Sequence, residues 1–258
     1  MTAVDSKREV ARLLDEAGIP PGGVLFMHSA FRNLAVQGFG AEPFIEGLID
    51  YMRGGTLVMP TMTWRVVTPE SPVFDELETV SHVGAIPELF RVRYASHRSL
   101  HPTHSVAALG RCAAELTATH HLGDTPCAIS SPYGIARRMD AHVLLLGVGL
   151  ERCTAMHHAE EMAAIDIYVD PPEAAVLFHL RARDGGIHDM RLRRHLKLNR
   201  DFPQFSARLD ARGTLRRGDF YGTKWQAMAQ ADLLDEVEGA LRRDPRAIIA
   251  PPGVAVPP

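Results

Sequence analysis

The sequence predicts an α/β protein: a single three-layer α/β/α domain around a mixed, mainly parallel central sheet. Short apolar runs rich in Val, Leu and Met alternate with amphipathic helical patterns along most of the chain. This order is typical of strands covered by helices on both faces. No repeat or low-complexity linker divides the 258 residues. We therefore expect one domain over residues 1–250 and a Pro-rich flexible tail at 251–258.

Individual elements follow from local patterns. Apolar runs at 24–27, 56–60 and 143–148 predict buried strands. Apolar residues at helical spacing predict helices at 4–18, 41–53 and 231–243. The alternating run from Val176, with a turn at Asp184-Gly185, predicts a β-hairpin that makes the sheet mixed.

Composition excludes several classes of function. A net charge of -3 gives no electrostatic basis for binding nucleic acid. No apolar run reaches the roughly 20 residues of a membrane-spanning helix, and the charged N-terminal pattern is not that of a signal peptide. Three cysteines without metal-ligand spacing favour a reducing cytoplasm. The high count of 13 histidines leaves a metal site open.

The stretch from Cys153 to Glu161 is the strongest candidate for chemistry. It follows a strand that ends in the Gly147-Val148-Gly149 turn, and Thr154 is a suitable N-cap for a helix. His157 and Glu160 are three residues apart, so they are neighbours on one helical face. An imidazole and a carboxylate at a strand end can act as a general base. A helix with an ordinary polar outer face is the alternative interpretation.

Two further strand ends carry polar groups. The first strand leads into His28-Ser29-Ala30-Phe31-Arg32, whose backbone N–H groups, hydroxyl and Arg suit a phosphate. It has neither a P-loop nor a Gly-x-Gly-x-x-Gly pattern. The second strand is followed by Thr63 and Trp64, which fit either a pocket wall or core packing.

The stretch from Arg98 to Val106 is the other informative segment. Arg98 and Ser99 could bind phosphate. His101 and His104 could be ligands, bases or structural residues fixed by backbone hydrogen bonds. Residues 191–200 are strongly basic, which indicates either a solvated edge or an anion contact.

These segments together resemble the aminoglycoside 3-N-acetyltransferase, or antibiotic N-acetyltransferase, family. The resemblance covers roughly residues 5–245, with its pieces in the family's order. Those pieces are His28-Ser29 with Phe31-Arg32, Gly55 to Thr61, Arg98-Ser99 with His101-Pro102 and Ser105, Ser131-Pro132, Leu144 to Gly149, and Thr154 with His157, Ala159 and Glu160.

The resemblance implies acetyl transfer from acetyl-coenzyme A to an amine, on a fold unlike that of the better-known amine acetyltransferases, without a metal. His157 would be the general base, with Glu160 orienting it and His28 as a second candidate. The implied coenzyme A contacts are Ser29, Ala30, Phe31, Arg32, Arg98, Ser99, His101, His104, Ser105 and Val106. The substrate contacts would be Thr63, Trp64, Asp75 and Glu161. A cytoplasmic monomer or homodimer is expected.

One departure concerns the substrate. Family members acting on polycationic aminoglycosides are expected to offer carboxylates after the hairpin, but residues 191–200 contain none. A basic rim would repel a polycation, so another primary amine is an alternative acceptor. Two other functions stay open. One is a metal-dependent hydrolase using His101, His104, His157 and Glu160 or Glu161, and the other is a coenzyme A-binding protein without turnover.

Overall fold

The computed structural model describes residues 3–251, and residues 252–258 of the predicted tail lie outside the described part. Its main sheet has seven strands in the order β4-β5-β2-β1-β6-β10-β9. The strands of the chain are β1 Val24–Ser29, β2 Thr56–Pro60, β3 Val73–Asp75, β4 His97–Arg98, β5 Val106–Gly110, β6 Ala141–Leu146, β7 Val176–Arg181, β8 Ile187–Leu192, β9 Arg216–Phe220 and β10 Thr223–Ala229.

The sheet is mixed, as the sequence predicts, but the expectation of a mainly parallel sheet is wrong. Among the described strands of the main sheet, the parallel pairings are those of β1, with β2 on one side and β6 on the other. The pairings of β5 with β2 and β4, and of β10 with β6 and β9, are antiparallel. The hydrophobic runs of the three central strands are continuous because both faces are covered, and this signal does not report strand direction.

Helices cover both faces of the main sheet, which confirms the three-layer architecture. The helices are α1 Ala3–Glu16, α2 Arg32–Val36, α3 Ala41–Tyr51, α4 Ala85–Arg93, α5 Ala113–Thr117, α6 Pro132–Ala136, α7 Ala155–Tyr168, α8 Phe205–Ala211 and α9 Gln230–Arg243. Leu144 and Leu146 of β6 pack in the core with residues of α1, α3 and α4. Val143 and Leu145 point the other way, into the core formed with α6, α7 and α9. This alternation is the two-residue period of a strand.

The predicted hairpin exists, but it does not belong to the main sheet. β7 and β8 pair antiparallel across the Asp184-Gly185 turn, and β3 joins β7 in parallel to complete a separate three-stranded sheet. Its inner face has its own small core, which includes Phe74, Phe178 and Leu180. The mixed character of the main sheet therefore comes from β5 and β10.

Among the helices of residues 3–251, none is both long enough and apolar enough to cross a membrane.

Candidate active site

The carboxyl ends of three central strands meet at one edge of the main sheet. β1 runs parallel to both β2 and β6, with Ser29 opposite Leu146. The segments that leave these strands therefore gather together, as expected at the carboxyl edge of parallel strands. Gly147 allows the segments that follow β1 and β6 to approach closely, since a Cβ at this position would lie 2.9 Å from the carbonyl oxygen of Ala30. Its φ of +70° is also a backbone conformation that favours glycine.

A cavity of about 900 Å³ opens at this edge. Among its walls are three arginines, Arg32, Arg65 and Arg152, together with Trp64 and Thr154. Other lining residues include Met27, His28, Ser29, Ala30, Phe31, Pro60, Met62, His82, Val83, Gly84 and Val148. Basic groups beside an apolar wall suit a long ligand with phosphate and aliphatic parts.

Several polar atoms on the cavity wall are buried without a hydrogen-bond partner in the described part of the chain. They are Nε2 of His28, Oγ of Ser29 and both ring nitrogens of His82. Burial lowers the pKa of His28 to about 4, so its ring is neutral at physiological pH. Such atoms are available to a ligand that brings its own donors and acceptors.

His157 follows Thr154 by one turn of α7, which begins at Ala155 as the sequence predicts. The hydroxyl of Thr154 makes no capping hydrogen bond, but Thr154 lies on the cavity wall. Nδ1 of His157 lies 2.7 Å from Oε2 of Glu160, and the His157 side chain is 20% exposed. This bond leaves Nε2 as the ring nitrogen that Glu160 does not engage, which is the geometry of an oriented general base.

The Glu160 side chain is completely buried, and its two carboxylate oxygens contact different partners, Arg200 and His157. Its Oε1 accepts from Nε of Arg200 at 2.7 Å, while Oε2 faces His157. Burial alone would favour the neutral acid, but His157 and Arg200 together hold the pKa of Glu160 below its ordinary value. The carboxylate is therefore ionised and can stabilise a proton on His157.

A second imidazole–carboxylate pair lies directly against the first. Nε2 of His195 lies 2.7 Å from Oε1 of Glu161, and the His195 ring stacks on His157 with a centroid distance of 4.4 Å. Glu161 also accepts from the Thr125 hydroxyl at 2.5 Å and from the backbone N–H of Cys127 at 2.8 Å. Burial raises the pKa of Glu161 to about 7.

Suitable metal ligands come together at one place in the described part of the chain. Over residues 3–251, one group of three side chains brings suitable atoms within 4.8 Å of one another: Cys127, Glu161 and His195. Within this group, Glu161 already accepts from the Thr125 hydroxyl and the Cys127 N–H and faces Nε2 of His195. The set expected for a hydrolase, His101, His104 and His157 with Glu160 or Glu161, does not come within that distance over the same residues.

The structure brings only part of the expected coenzyme A wall to the cavity. Ser29, Ala30, Phe31 and Arg32 all line it, and so does His28, the second candidate for the base. The expected residues from the second segment, Arg98, Ser99, His101, His104, Ser105 and Val106, do not. Arg98 is buried and donates to the backbone oxygens of Glu76 and Thr79, and the Ser99 hydroxyl bonds to His120. These groups hold loops together in the interior.

The expected substrate contacts divide in the same way. Trp64 is 46% exposed on the cavity wall. The Thr63 hydroxyl is buried and donates to the carbonyl of Pro102, and Asp75 accepts from the backbone N–H groups that follow it. Glu161 is enclosed by its contacts with Thr125, Cys127 and His195. Of these four residues, only Trp64 faces the cavity.

Five site residues were missed by reasoning from the sequence. Arg65, Arg152 and His82 line the cavity, and Arg152 directly precedes the segment from Cys153 to Glu161 that the sequence singles out after a strand end. His195 and Arg200 lie in the basic stretch after β8, which the sequence assigns to a solvated edge or an anion contact. Both instead point inward to the glutamates of α7. No local signal pairs residues that lie so far apart in the sequence.

The model of the family described as aminoglycoside 3-N-acetyltransferase matches residues 26–242, most of the chain. The chain belongs to this family. The aminoglycoside N(3)-acetyltransferase IV of a Salmonella species is 29% identical over 247 residues, which cover 95% of this chain and 91% of the relative. The enzyme VII of Streptomyces paromomycinus is 32% identical over 176 residues, and this match spans only 61% of either chain.

Solved structures of the acetyltransferase family share the fold. A histidine-to-alanine variant of aminoglycoside acetyltransferase AAC(3)-IVa, in complex with a gentamicin, has a TM-score of 0.81 and 28% identity, covering 95% of this chain and 92% of that one. The apoenzyme of the same protein has a TM-score of 0.79 and 27% identity, with the same coverage. The aminoglycoside 3-N-acetyltransferases are acyltransferases.

Proposed function

We propose that this chain transfers the acetyl group of acetyl-coenzyme A to a primary amine of an aminoglycoside, with His157 as the general base. The observation that carries the proposal is the contact of His157 with Glu160, with His157 one helical turn after Thr154 on the wall of a cavity that also carries three arginines. Membership of the family supports acetyl transfer, and the relative solved with a gentamicin supports the acceptor class.

The residues of the cavity fit coenzyme A. Arg32, Arg65 and Arg152 can pair with its phosphates, and Trp64 and Met62 offer apolar surface to the pantetheine arm. The unpartnered Oγ of Ser29 and Nε2 of His28 can bond its amides. When bound, the thioester supplies an activated acetyl group.

His157 performs the proton transfer in this mechanism. An ammonium group has no lone pair, so the acceptor first loses one proton to solvent, and the neutral amine loses a second proton as it attacks the acetyl carbon. Nε2 of His157 accepts that proton, and Glu160 stabilises the resulting imidazolium through Nδ1. Arg200 keeps Glu160 ionised and immobile. The proton can then be passed to the leaving thiolate.

The basic segment at residues 191–200 repels a cationic acceptor less strongly than the number of its Arg, Lys and His residues indicates. Arg193 is buried and donates to the carbonyl of Asp170, while His195 and Arg200 pair with glutamates. The carboxylates of Asp124 and Asp166 lie 3.9 and 4.0 Å from the Arg193 guanidinium, with side chains 66% and 94% exposed. These two exposed carboxylates are our candidates for contacts to ammonium groups.

An acetyl-coenzyme A assay that follows release of the thiol tests the proposal. The acceptor panel is gentamicin-like, apramycin-like and simple primary amines. We expect turnover with at least one aminoglycoside and much slower turnover with simple amines. Turnover with simple amines alone would favour another acceptor, and binding of acetyl-coenzyme A without turnover would favour an idle binding protein. A tightly held metal whose chelation abolishes activity would defeat the mechanism.

A further inference from the structure

Two imidazole–carboxylate pairs from consecutive glutamates lie face to face in this site. The rings of His157 and His195 are 4.4 Å apart with planes 29° apart. Nδ1 of His157 lies 2.7 Å from a carboxylate oxygen of Glu160, and Nε2 of His195 lies 2.7 Å from one of Glu161. The mechanism uses the first pair, and the second has no role in it.

His195 is itself fixed from behind by a row of imidazoles. His104 lies against it at 5.3 Å between ring centroids, His101 against His104 at 5.9 Å, and His120 against His101 at 4.3 Å. The row ends where Nδ1 of His120 bonds to the Ser99 hydroxyl and Nε2 bonds to the carbonyl of Pro126. The histidines of the His101-Pro-Thr-His104 segment thus support the site from the interior.

Every ring behind His157 is kept neutral by burial. Burial lowers the pKa of His120 to about 3, and it lowers the pKa values of His101, His104 and His195 well below the ordinary value. A cationic His195 would repel the proton that His157 must take up. A neutral aromatic ring instead presents a negative face to a neighbouring cation.

We propose that His195 is a positioning residue of the acetyl transfer, whose ring holds the plane of His157 and stabilises its protonated form through ring-face contact. The proposal rests on the proposed function, in which His157 is the base. Glu161 fixes the edge of the His195 ring, since one of its oxygens lies 2.7 Å from Nε2 of His195. The row of His104, His101 and His120 prevents the ring from retreating when the substrate arrives.

Two substitutions separate ring-face contact from simple filling of space. His195→Phe keeps a flat aromatic face but loses the bond to Glu161, whereas His195→Leu fills similar volume without an aromatic face. His188→Phe and His188→Leu are the controls, since the His188 ring also packs against another imidazole, that of His121 at 5.0 Å between ring centroids, and His188 lies on β8 of the separate three-stranded sheet. Thermal melting shows at which temperature all four variants are folded for assay.

We expect His195→Leu to lower kcat about five- to tenfold with KM values for both substrates nearly unchanged. His195→Phe should recover most of that loss, and the His188 variants should keep wild-type kcat. The proposal is overturned if His195→Leu keeps wild-type kcat, if it raises KM alone, if His195→Phe is as slow as His195→Leu, or if the His188 pair loses the same activity.

Crystal structures of the two His195 variants give a readout that does not depend on turnover. The bond between His157 and Glu160 should persist in His195→Phe, while the His157 ring should rotate away in His195→Leu. A wild-type protein that acetylates no amine would defeat the proposed function alone. An unmoved His157 ring in His195→Leu would defeat the positioning role alone.

Discussion

His157 and Arg200 are joined through a single buried carboxylate. Oε2 of Glu160 faces Nδ1 of His157 at 2.7 Å, and Oε1 accepts from Nε of Arg200 at 2.7 Å. These residues come from α7 and from the segment that follows β8, so the tertiary fold creates the arrangement. The carboxylate is held ionised where a proton must later be stabilised.

Glu160→Gln should therefore slow the reaction without loosening substrate binding. The amide preserves shape but removes the charge that stabilises protonated His157, and we expect kcat to fall by roughly 10²-fold with KM within about twofold of wild type. Glu236→Gln is the control, because Glu236 makes comparable ion pairs with Arg208 and Arg212 on α8 and just after it. Steady-state kinetics measure both variants. A rise in KM alone would assign Glu160 to substrate binding.

Arg32 on the cavity wall should contribute to binding of acetyl-coenzyme A. Arg32→Ala removes one cation from the proposed phosphate contacts, and we expect KM for acetyl-coenzyme A to rise about tenfold, less so at high salt. Arg53→Ala is the control, since Arg53 is highly exposed and pairs with Asp50 on α3. Kinetics at two salt concentrations test the effect. An unchanged KM at both would place the phosphates elsewhere.

Gly147 tests the close contact between the segments after β1 and β6. A Cβ at Gly147 would lie 2.9 Å from the carbonyl oxygen of Ala30, at a φ of +70°. Gly185 in the β7–β8 turn has a φ of +86° with open space around it, so Gly185→Ala measures the cost of the φ angle alone. We expect Gly147→Ala to lower the free energy of unfolding by about 1–3 kcal/mol, and by more than Gly185→Ala. Urea unfolding of both variants compares the two costs, and equal losses would argue against the contact.

Acid should destabilise the protein before its carboxylates are protonated. Buried histidines with lowered pKa values bind fewer protons when folded than when unfolded, so their stabilisation is full above pH 6.5 and is lost as pH falls toward the folded values. For His28 the change from 6.5 to about 4 is worth about 3 kcal/mol. His101, His104, His120 and His195 act in the same direction.

Glu161 acts in the opposite direction. Because the pKa of Glu161 is raised from 4.5 to about 7, its contribution to the free energy of unfolding is lost as pH rises through this range. The loss has the opposite sign to the effect of the histidines and is about as large as the effect of one of them. We expect the free energy of unfolding to fall by more than about 3 kcal/mol between about pH 7 and about pH 4. Urea unfolding at half-unit pH steps measures this, and a flat profile over that range would show that the rings are not held neutral.

Patterns along the sequence predict the parts of this molecule that are local. The β2 bounds, the start of α7 and the Asp184-Gly185 hairpin follow from periodicity and turn residues, and the His157–Glu160 pair follows from helical spacing. Strand direction does not, because a strand buried on both faces is apolar throughout whichever way its neighbours run. The partnership of Glu161 with His195 depends on contacts between distant segments. The interior role of His101 and His104 could not be distinguished from a ligand role, because burial of a loop histidine is decided by the elements packed over it.

The substitution His157→Ala shows whether His157 is the general base. His142→Ala is its control, because His142 lies on the same strand–turn–helix unit, near the start of β6. Acetyl-coenzyme A binding is measured by calorimetry, and acetylation of the best aminoglycoside of the panel is measured by thiol release. We expect His157→Ala to bind acetyl-coenzyme A as the wild type does while losing about 10²–10⁴-fold in kcat. Near-normal turnover in His157→Ala would show that the base lies elsewhere.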